Sequence, residues 1–208
     1  MKKRLWSILL TLALCLTLLP TAAFAEETPS FGGGTGTQED PWLITSREDL
    51  IALAEFLNSG DAKNFDAEDA GIGNCHGYYF KQTADIDLEG VAWEPIGYYS
   101  DNTYFSGSYD GDGHYIINAT STGKQDTEGV GSAGIFGCVF NGSVKNLHVK
   151  KADFSATGIK GNYSFVGGIA GVCYIASITN CSVVDSSLKS ITEWQNNCAG
   201  SIAGYSAG

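Results

Sequence analysis

The sequence predicts an all-β solenoid with a single amphipathic helix capping its N-terminal end. Three observations carry that prediction. Gly134-Ile-Phe-Gly137 returns as Gly168-Ile-Ala-Gly171 and again as Ser201-Ile-Ala-Gly204, with closing glycines 34 and 33 residues apart. A fixed period of that size marks stacked repeats. The agreement runs on beyond the tetrapeptide. Ser143-Val-Lys-Asn-Leu-His-Val149 matches Ser177-Ile-Thr-Asn-Cys-Ser-Val183, so that Asn146 falls on Asn180, Leu147 on Cys181 and Val149 on Val183. Glycine corners between short β-branched runs describe one coil of a solenoid. Finally, a clear helical period occurs only between Ser46 and Asn58, ahead of the repeats.

The elements follow in order. Residues 1–25 read as a signal peptide: Lys2, Lys3 and Arg4 form a basic start, Leu5 to Leu19 are mostly apolar, and Ala23-Phe-Ala25 is an A-x-A cleavage site. The apolar run is short for a span of about 20 residues. Residues 26–40, rich in Gly, Thr and acids, are expected to be a mobile leader. Residues 41–131 hold the cap and first coils. Pro41 to Thr45 is a short strand. Ser46 is an N-cap with Glu48 and Asp49 in the first turn, and Leu50, Leu53, Ala54 and Leu57 form one apolar face. Such a helix can cover the unpaired first coil of a solenoid. Asp61 to Gly77 is a long polar loop. Tyr78 to Leu88 alternates as one half-buried strand, with Gln82 the exception. Tyr104 to Asp110, the turn Gly111-Asp-Gly113 and His114 to Asn118 read as strand, tight turn, strand. Residues 132–208 are the repeats, the last incomplete. An uncapped final coil is expected to continue in a longer chain or to associate end to end, and a concentration-independent monomer by light scattering would count against it.

Removing the leader leaves nine basic against 23 acidic residues, a net charge of −14. That excess excludes nucleic acid and anionic membrane as direct partners, because both repel it. Five cysteines remain (Cys75, Cys138, Cys173, Cys181 and Cys198) without C-x-x-C or a zinc spacing, and they read as packing residues.

Asp40-Pro-Trp-Leu-Ile-Thr45, the helix, Asp85-Ile-Asp-Leu88, Trp93-Glu-Pro-Ile-Gly97 and Phe105 to His114 occur in that order. Together with Gly134-Ile-Phe-Gly137 and its copies, they resemble the large exported β-helix proteins that carry GLUG repeats. The resemblance covers nearly all of residues 40–208. It implies a right-handed parallel β-helix from a bacterial cell surface, secreted or surface-held. Such modules occur in adhesin-like proteins and beside the protease domain of some IgA-specific metallopeptidases. No active site comes with the repeat.

A metallopeptidase needs His-Glu-x-x-His, which His76, His114 and His148 do not form. A glycan-cleaving enzyme would draw on Asp85 and Asp87, expected about 6.5–7 Å apart on one strand face, or on Asp110. The plainer reading is that Asp85 and Asp87 are solvated and that Asp110-Gly-Asp-Gly113, lacking a closing Glu, is a turn and not a calcium loop. No catalytic residue, metal or cofactor is assigned. Gly134, Gly137, Gly168, Gly171 and Gly204 read as structural corners. Asn146 and Asn180 read as a hydrogen-bonded ladder across coils about 4.8 Å apart. Of Trp93, Tyr98, Tyr99, Tyr104, Tyr109 and Tyr115, most are expected in the core and some on an exposed face against sugar rings. The function expected is a non-enzymatic, adhesin-like module for a host or environmental glycan or an extracellular protein. A carbohydrate-active enzyme and a plain spacer are the alternatives, since fold alone cannot choose.

Overall fold

The computed structural model describes residues 31–59, 75–99, 103–125, 129–159, 162–192 and 197–208. Residues 1–25, expected to be a signal peptide, residues 26–30 and the loop from Asp61 as far as residue 74 lie outside the described residues. The chain is a parallel β-solenoid of about four turns with one short helix.

Strand β1 (Trp42–Ile44) and helix α1 (Arg47–Asn58) come first. The first turn holds β2 (Tyr79–Gln82) and β3 (Ile86–Asp87), then single bridges from Ala92 to Thr120, Ile96 to Phe136 and Phe105 to Val139. The second turn is β4 (Ser108–Asp110), β5 (Tyr115–Ile117), β6 (Thr120–Ser121), β7 (Lys124–Gln125), β8 (Gly131–Ala133) and β9 (Phe136–Phe140). The third is β10 (Ser143–Lys145), β11 (His148–Lys150), β12 (Asp153–Gly158), β13 (Ser164–Gly167) and β14 (Ala170–Tyr174). The fourth repeats it as β15 (Ser177–Thr179), β16 (Ser182–Val184), β17 (Ser187–Thr192), β18 (Asn197–Gly200) and β19 (Ala203–Ala207).

Stacking the turns makes five sheets, met in this order along each coil. The first is β1-β2-β4-β10-β15, the second β3-β5-β11-β16 and the third β6-β12-β17. The fourth is β7-β8-β13-β18, where β7 pairs antiparallel with β8, and the fifth is β9-β14-β19. The register follows the repeat: Val144 pairs with Ile178, and Val149 with both Ile116 and Val183. β15 to β19 each sit at the edge of their sheet.

Alternation along each strand sends one set of side chains inward. Val144, Leu147, Val149, Phe154, Val166 and Ala170 are all fully buried in one core. An aromatic column runs through it, with ring centroids 5.8 Å apart for Phe80–Phe105, 5.0 Å for Phe105–Phe136 and 5.6 Å for Tyr109–Phe136. Each such side chain contributes about 1.5–3 kcal/mol by leaving water. The Tyr109 hydroxyl donates to Gln82 Oε1 at 3.1 Å, and Gln82 Nε2 donates to the carbonyls of Ala84 and Tyr115 at 2.8 and 3.1 Å. Gln82 is therefore buried but satisfied, which is why it breaks the apolar pattern at no cost.

Helix α1 forms as its caps dictate. Ser46 Oγ accepts from the Asp49 N–H at 3.2 Å, and the Asp49 carboxylate accepts from the Thr45 N–H and hydroxyl at 2.9 and 2.7 Å. Its apolar face of Leu50, Leu53, Ala54 and Leu57 is buried in the main core. Asn58 then ties it to the first turn, donating to Pro95 O at 3.0 Å and accepting from Gly97 N at 2.9 Å. The helix thus packs over the first turn between Glu89 and Gly97.

Three expectations are corrected. Tyr78 to Leu88 is not one strand: β2 and β3 belong to the first and second sheets, with a corner between them. Residues 31–40 are not a mobile leader. Phe31 is buried against Trp42 and Phe80, and Gly32 and Gly33 exchange backbone hydrogen bonds with Leu43. Strands β4 and β5, read as flanking one turn, pair not with each other but with the coils above and below.

Candidate functional site

Repeat glycines set the geometry of the junction between the fourth and fifth sheets. A Cβ on Gly137 would meet Gly97 O at 2.1 Å, one on Gly171 would meet Gly137 O at 2.9 Å, and one on Gly204 would meet Gly171 O at 2.8 Å. The closing glycines are therefore a stacked column in which every backbone sits against the next. Gly97 is its first member, so Trp93-Glu-Pro-Ile-Gly97 is the first turn's version of the repeat corner. The Trp93 indole N–H donates to Gly134 O at 3.1 Å, and Ile96 N donates to Ile135 O at 3.0 Å. Gly134 and Gly168 open their corners, with the intervening Ile135 and Ile169 buried in the core.

The tight corner folds the outer faces of the two sheets toward each other. Phe165, Val172, Cys138 and Val130 alternate with core residues such as Val166, Cys173 and Val139, so they point outward. They are nevertheless buried, in a second apolar cluster apart from the core, with Tyr104, Phe140 and Cys198 packed on it. A row of aromatic rings lines this outer groove. Tyr104 lies 4.7 Å from Phe140, which stacks on Tyr174 at 5.5 Å and 3°. Tyr163 stacks on Phe165 at 5.5 Å and 8°, and Tyr205 and Tyr99 approach the same ring at 5.5 and 6.4 Å. Tyr99, Tyr163, Tyr174 and Tyr205 are 38–47% exposed, and Ile175 is 57% exposed. No Asp, Glu, Lys or Arg occurs in β8, β9, β13, β14, β18 or β19. The first three sheets, by contrast, carry Lys81, Asp87, Asp110, Lys145, Lys150, Asp153 and Lys189.

Of the aromatics singled out in the sequence, Trp93, Tyr98 and Tyr109 are buried, and Tyr99 is exposed. Tyr163, Tyr174 and Tyr205 were missed. Their signal was the uncharged run that closes each repeat (Gly129 to Phe140, Gly161 to Tyr174 and Gln195 to Gly208), with an aromatic returning at Phe140 and Tyr174.

The three aspartates are held by neighbouring backbone or amide groups. Asp85 Oδ1 accepts from Tyr115 N at 2.9 Å and lies 3.2 Å from His114 Nδ1. Asp87 Oδ1 accepts from Asn118 Nδ2 and Glu89 N, both at 2.9 Å, and these bonds hold its carboxyl below the usual range. Asp110 begins a ladder: Asn146 Nδ2 donates to its Oδ1 at 2.8 Å, and Asn180 Nδ2 donates to Asn146 Oδ1 at 2.8 Å. Burial works to raise the pKa of Asp110, but the Asn146 amide, the Asp112 N–H and Lys145 outweigh it and hold it low. Asp85 immediately precedes β3 and Asp87 lies in it, and the two bond to groups at either end of β5 in the next coil. A separate groove of ≈ 530 Å³ runs between the first two turns beside Glu94 and Lys124. There Lys124 Nζ lies 2.7 Å from Glu94, 4.6 Å from the Tyr98 ring centroid, and Tyr98 donates to Glu94. Lys124 and Tyr98 hold the Glu94 carboxyl low.

Among the described residues, no group of three or more His, Cys, Asp or Glu is placed to hold a metal, and no helix is long and apolar enough to cross a membrane. The described cysteines are all free thiols. Burial pushes Cys75 up to about 12 and Cys173 up to about 11, and raises Cys138 as well.

No model of a known protein family matches the chain. It is 32% identical over 160 residues to a "Putative Gly-rich membrane protein" of Evansella cellulosilytica, a match covering 74% of this chain and 15% of that protein. It is 34% identical over 149 residues to halomucin of Haloquadratum walsbyi, covering 66% of this chain and 1% of that protein. Among solved structures it is similar to a "putative immunoglobulin A1 protease" from Bacteroides ovatus, at 19% identity and a TM-score of 0.48, over 85% of this chain and 65% of that one. The chain spans a small fraction of the length of both curated relatives.

Proposed function

We propose that this chain is a non-enzymatic, adhesin-like module of an exported surface protein, binding a glycan or an extracellular protein through an outer face of the solenoid. The observation that carries the reading is the sorting of outer chemistry: charged residues recur on the first three sheets, whereas β8, β9, β13, β14, β18 and β19 carry none and gather the exposed aromatic rings beside them. The one charge of the last two sheets' described strands is Lys124 on the edge strand β7, paired with Glu94. A spacer needs no such sorting, because a solvated outer face serves it equally well. Asp85, Asp87 and Asp110, the carboxylates an enzyme would draw on, are each engaged in joining coils. The names of the two relatives, a membrane protein and a halomucin, agree with a place at the cell surface.

The test is to pass the purified chain over a panel of polysaccharides and extracellular proteins, with and without calcium, recording retention and new chain ends together. Retention without cleavage is expected. New ends abolished by Asp85→Asn would make the protein an enzyme, and silence on both counts would leave the spacer.

A further inference from the structure

We infer that the outer groove of the fourth and fifth sheets is a binding site for an uncharged glycan, with Tyr163, Tyr174, Ile175 and Tyr205 as its contact surface. The inference rests on the binding-module reading above and names its partner and its face.

The first argument is charge. The full chain carries −11, yet β8, β9, β13, β14, β18 and β19 of this face hold no Asp, Glu, Lys or Arg, and Lys124 on the edge strand β7 is paired with Glu94. An acidic polysaccharide or an anionic membrane meets repulsion from the rest of the molecule, and Lys124, the cation on the described strands of the face, is already neutralised by Glu94. A second copy docked side by side brings the same charge against itself. A neutral glycan meets neither obstacle. Tyrosine suits it, offering a ring face to the C–H face of a sugar and a hydroxyl to its oxygens. Four turns at the β spacing give a groove about 14 Å long, enough for about three pyranose rings.

The second argument is strain. Ile175 follows the last residue of β14 with φ +50°, in the left-handed region. The equivalent corner one turn earlier uses Asn141 at φ +52°, the residue type that tolerates this conformation. A β-branched side chain there is costly, and at 57% exposure no core packing repays it. Such a residue held beside Tyr174 is what a contact surface retains against the preference of the backbone.

The test is affinity electrophoresis of the full chain through gels containing dextran, xyloglucan or mannan, with polygalacturonate as the acidic comparison. At least one neutral polymer is expected to retard it, and polygalacturonate is not. Tyr174→Ala and Tyr205→Ala are each expected to weaken retention about tenfold. Both sites are exposed, so melting temperatures check that the variants stay folded. Lys150→Ala and Lys189→Ala are expected to change nothing. Ile175→Asn is the discriminating variant: it is expected to raise the melting temperature and weaken retention together, which a purely structural corner would not do. Retention indifferent to both tyrosines, preference for polygalacturonate, or a dimer lost in Tyr174→Ala would each overturn the assignment. Retention on an extracellular protein but on no neutral glycan would overturn it and leave the module reading standing. Retention on nothing would overturn both.

Discussion

At single corners, the solenoid depends on residues that accept a left-handed backbone and pass a hydrogen bond to the next coil. Asn146 does both: its φ is +53°, it donates to Asp110, and it accepts from Asn180. Asn146→Leu is expected to cost about 2–4 kcal/mol, from two lost bonds and a strained backbone. Asn180→Leu loses one bond and is expected to cost less. Chemical denaturation of the two variants checks the order, and equal midpoints would contradict the ladder. The amide match was legible in the sequence because both positions sat at one offset. Asp110 was not, because the turn Gly111-Asp-Gly113 is longer than its counterparts and hides the register. That aspartate also sets a pH dependence. Its folded pKa lies below the ordinary value of about 3.9, so its contribution is present above that pH and is lost as pH falls through the lower folded value. Asp110→Asn is expected to flatten the fall in melting temperature below about pH 4. An unchanged acid profile would remove Asp110 from that role.

Among elements, the glycine corner is the one the others depend on. The repeat was plain from sequence spacing, but its first copy was not, since Trp93-Glu-Pro-Ile-Gly97 shares only the final Ile/Phe-Gly pattern with Gly134-Ile-Phe-Gly137. Only the stacked backbones reveal the fourth rung. Gly137→Ala places a methyl 2.1 Å from Gly97 O, against backbone that cannot swing aside. A loss of at least about 3 kcal/mol is expected, or failure to fold. Gly77→Ala, where the added atom meets nothing but φ is +80°, is the milder control. The helix was read correctly from its cap and period, because both signals are local. The break of Tyr78 to Leu88 into two strands was not legible. Alternation continues through the corner, and the bend depends on which coil each half pairs with. Cysteine chemistry belongs at this scale too. Cys75, Cys138 and Cys173 are buried on strands or turns of the stack, and burial keeps their thiols protonated. Iodoacetamide at pH 8 is expected to leave these three unmodified until the protein unfolds, as read by mass spectrometry.

Across the whole molecule, four coils turn a one-dimensional repeat into faces of different chemistry. Charged residues recur on the first three sheets, while β8, β9, β13, β14, β18 and β19 of the last two carry none, with Lys124 on the edge strand β7 the exception. The sequence revealed the repeat and the acidic excess. It did not reveal which aromatic residues face outward, because that depends on whether a glycine corner bends the coil inward or outward. Hydrogen exchange of the full chain with and without a retained neutral oligosaccharide reads this face directly. Slowed exchange concentrated in β14, β19 and Tyr163 to Phe165 is expected. Protection confined to β10, β11 and β12, on the charged sheets, would contradict the account.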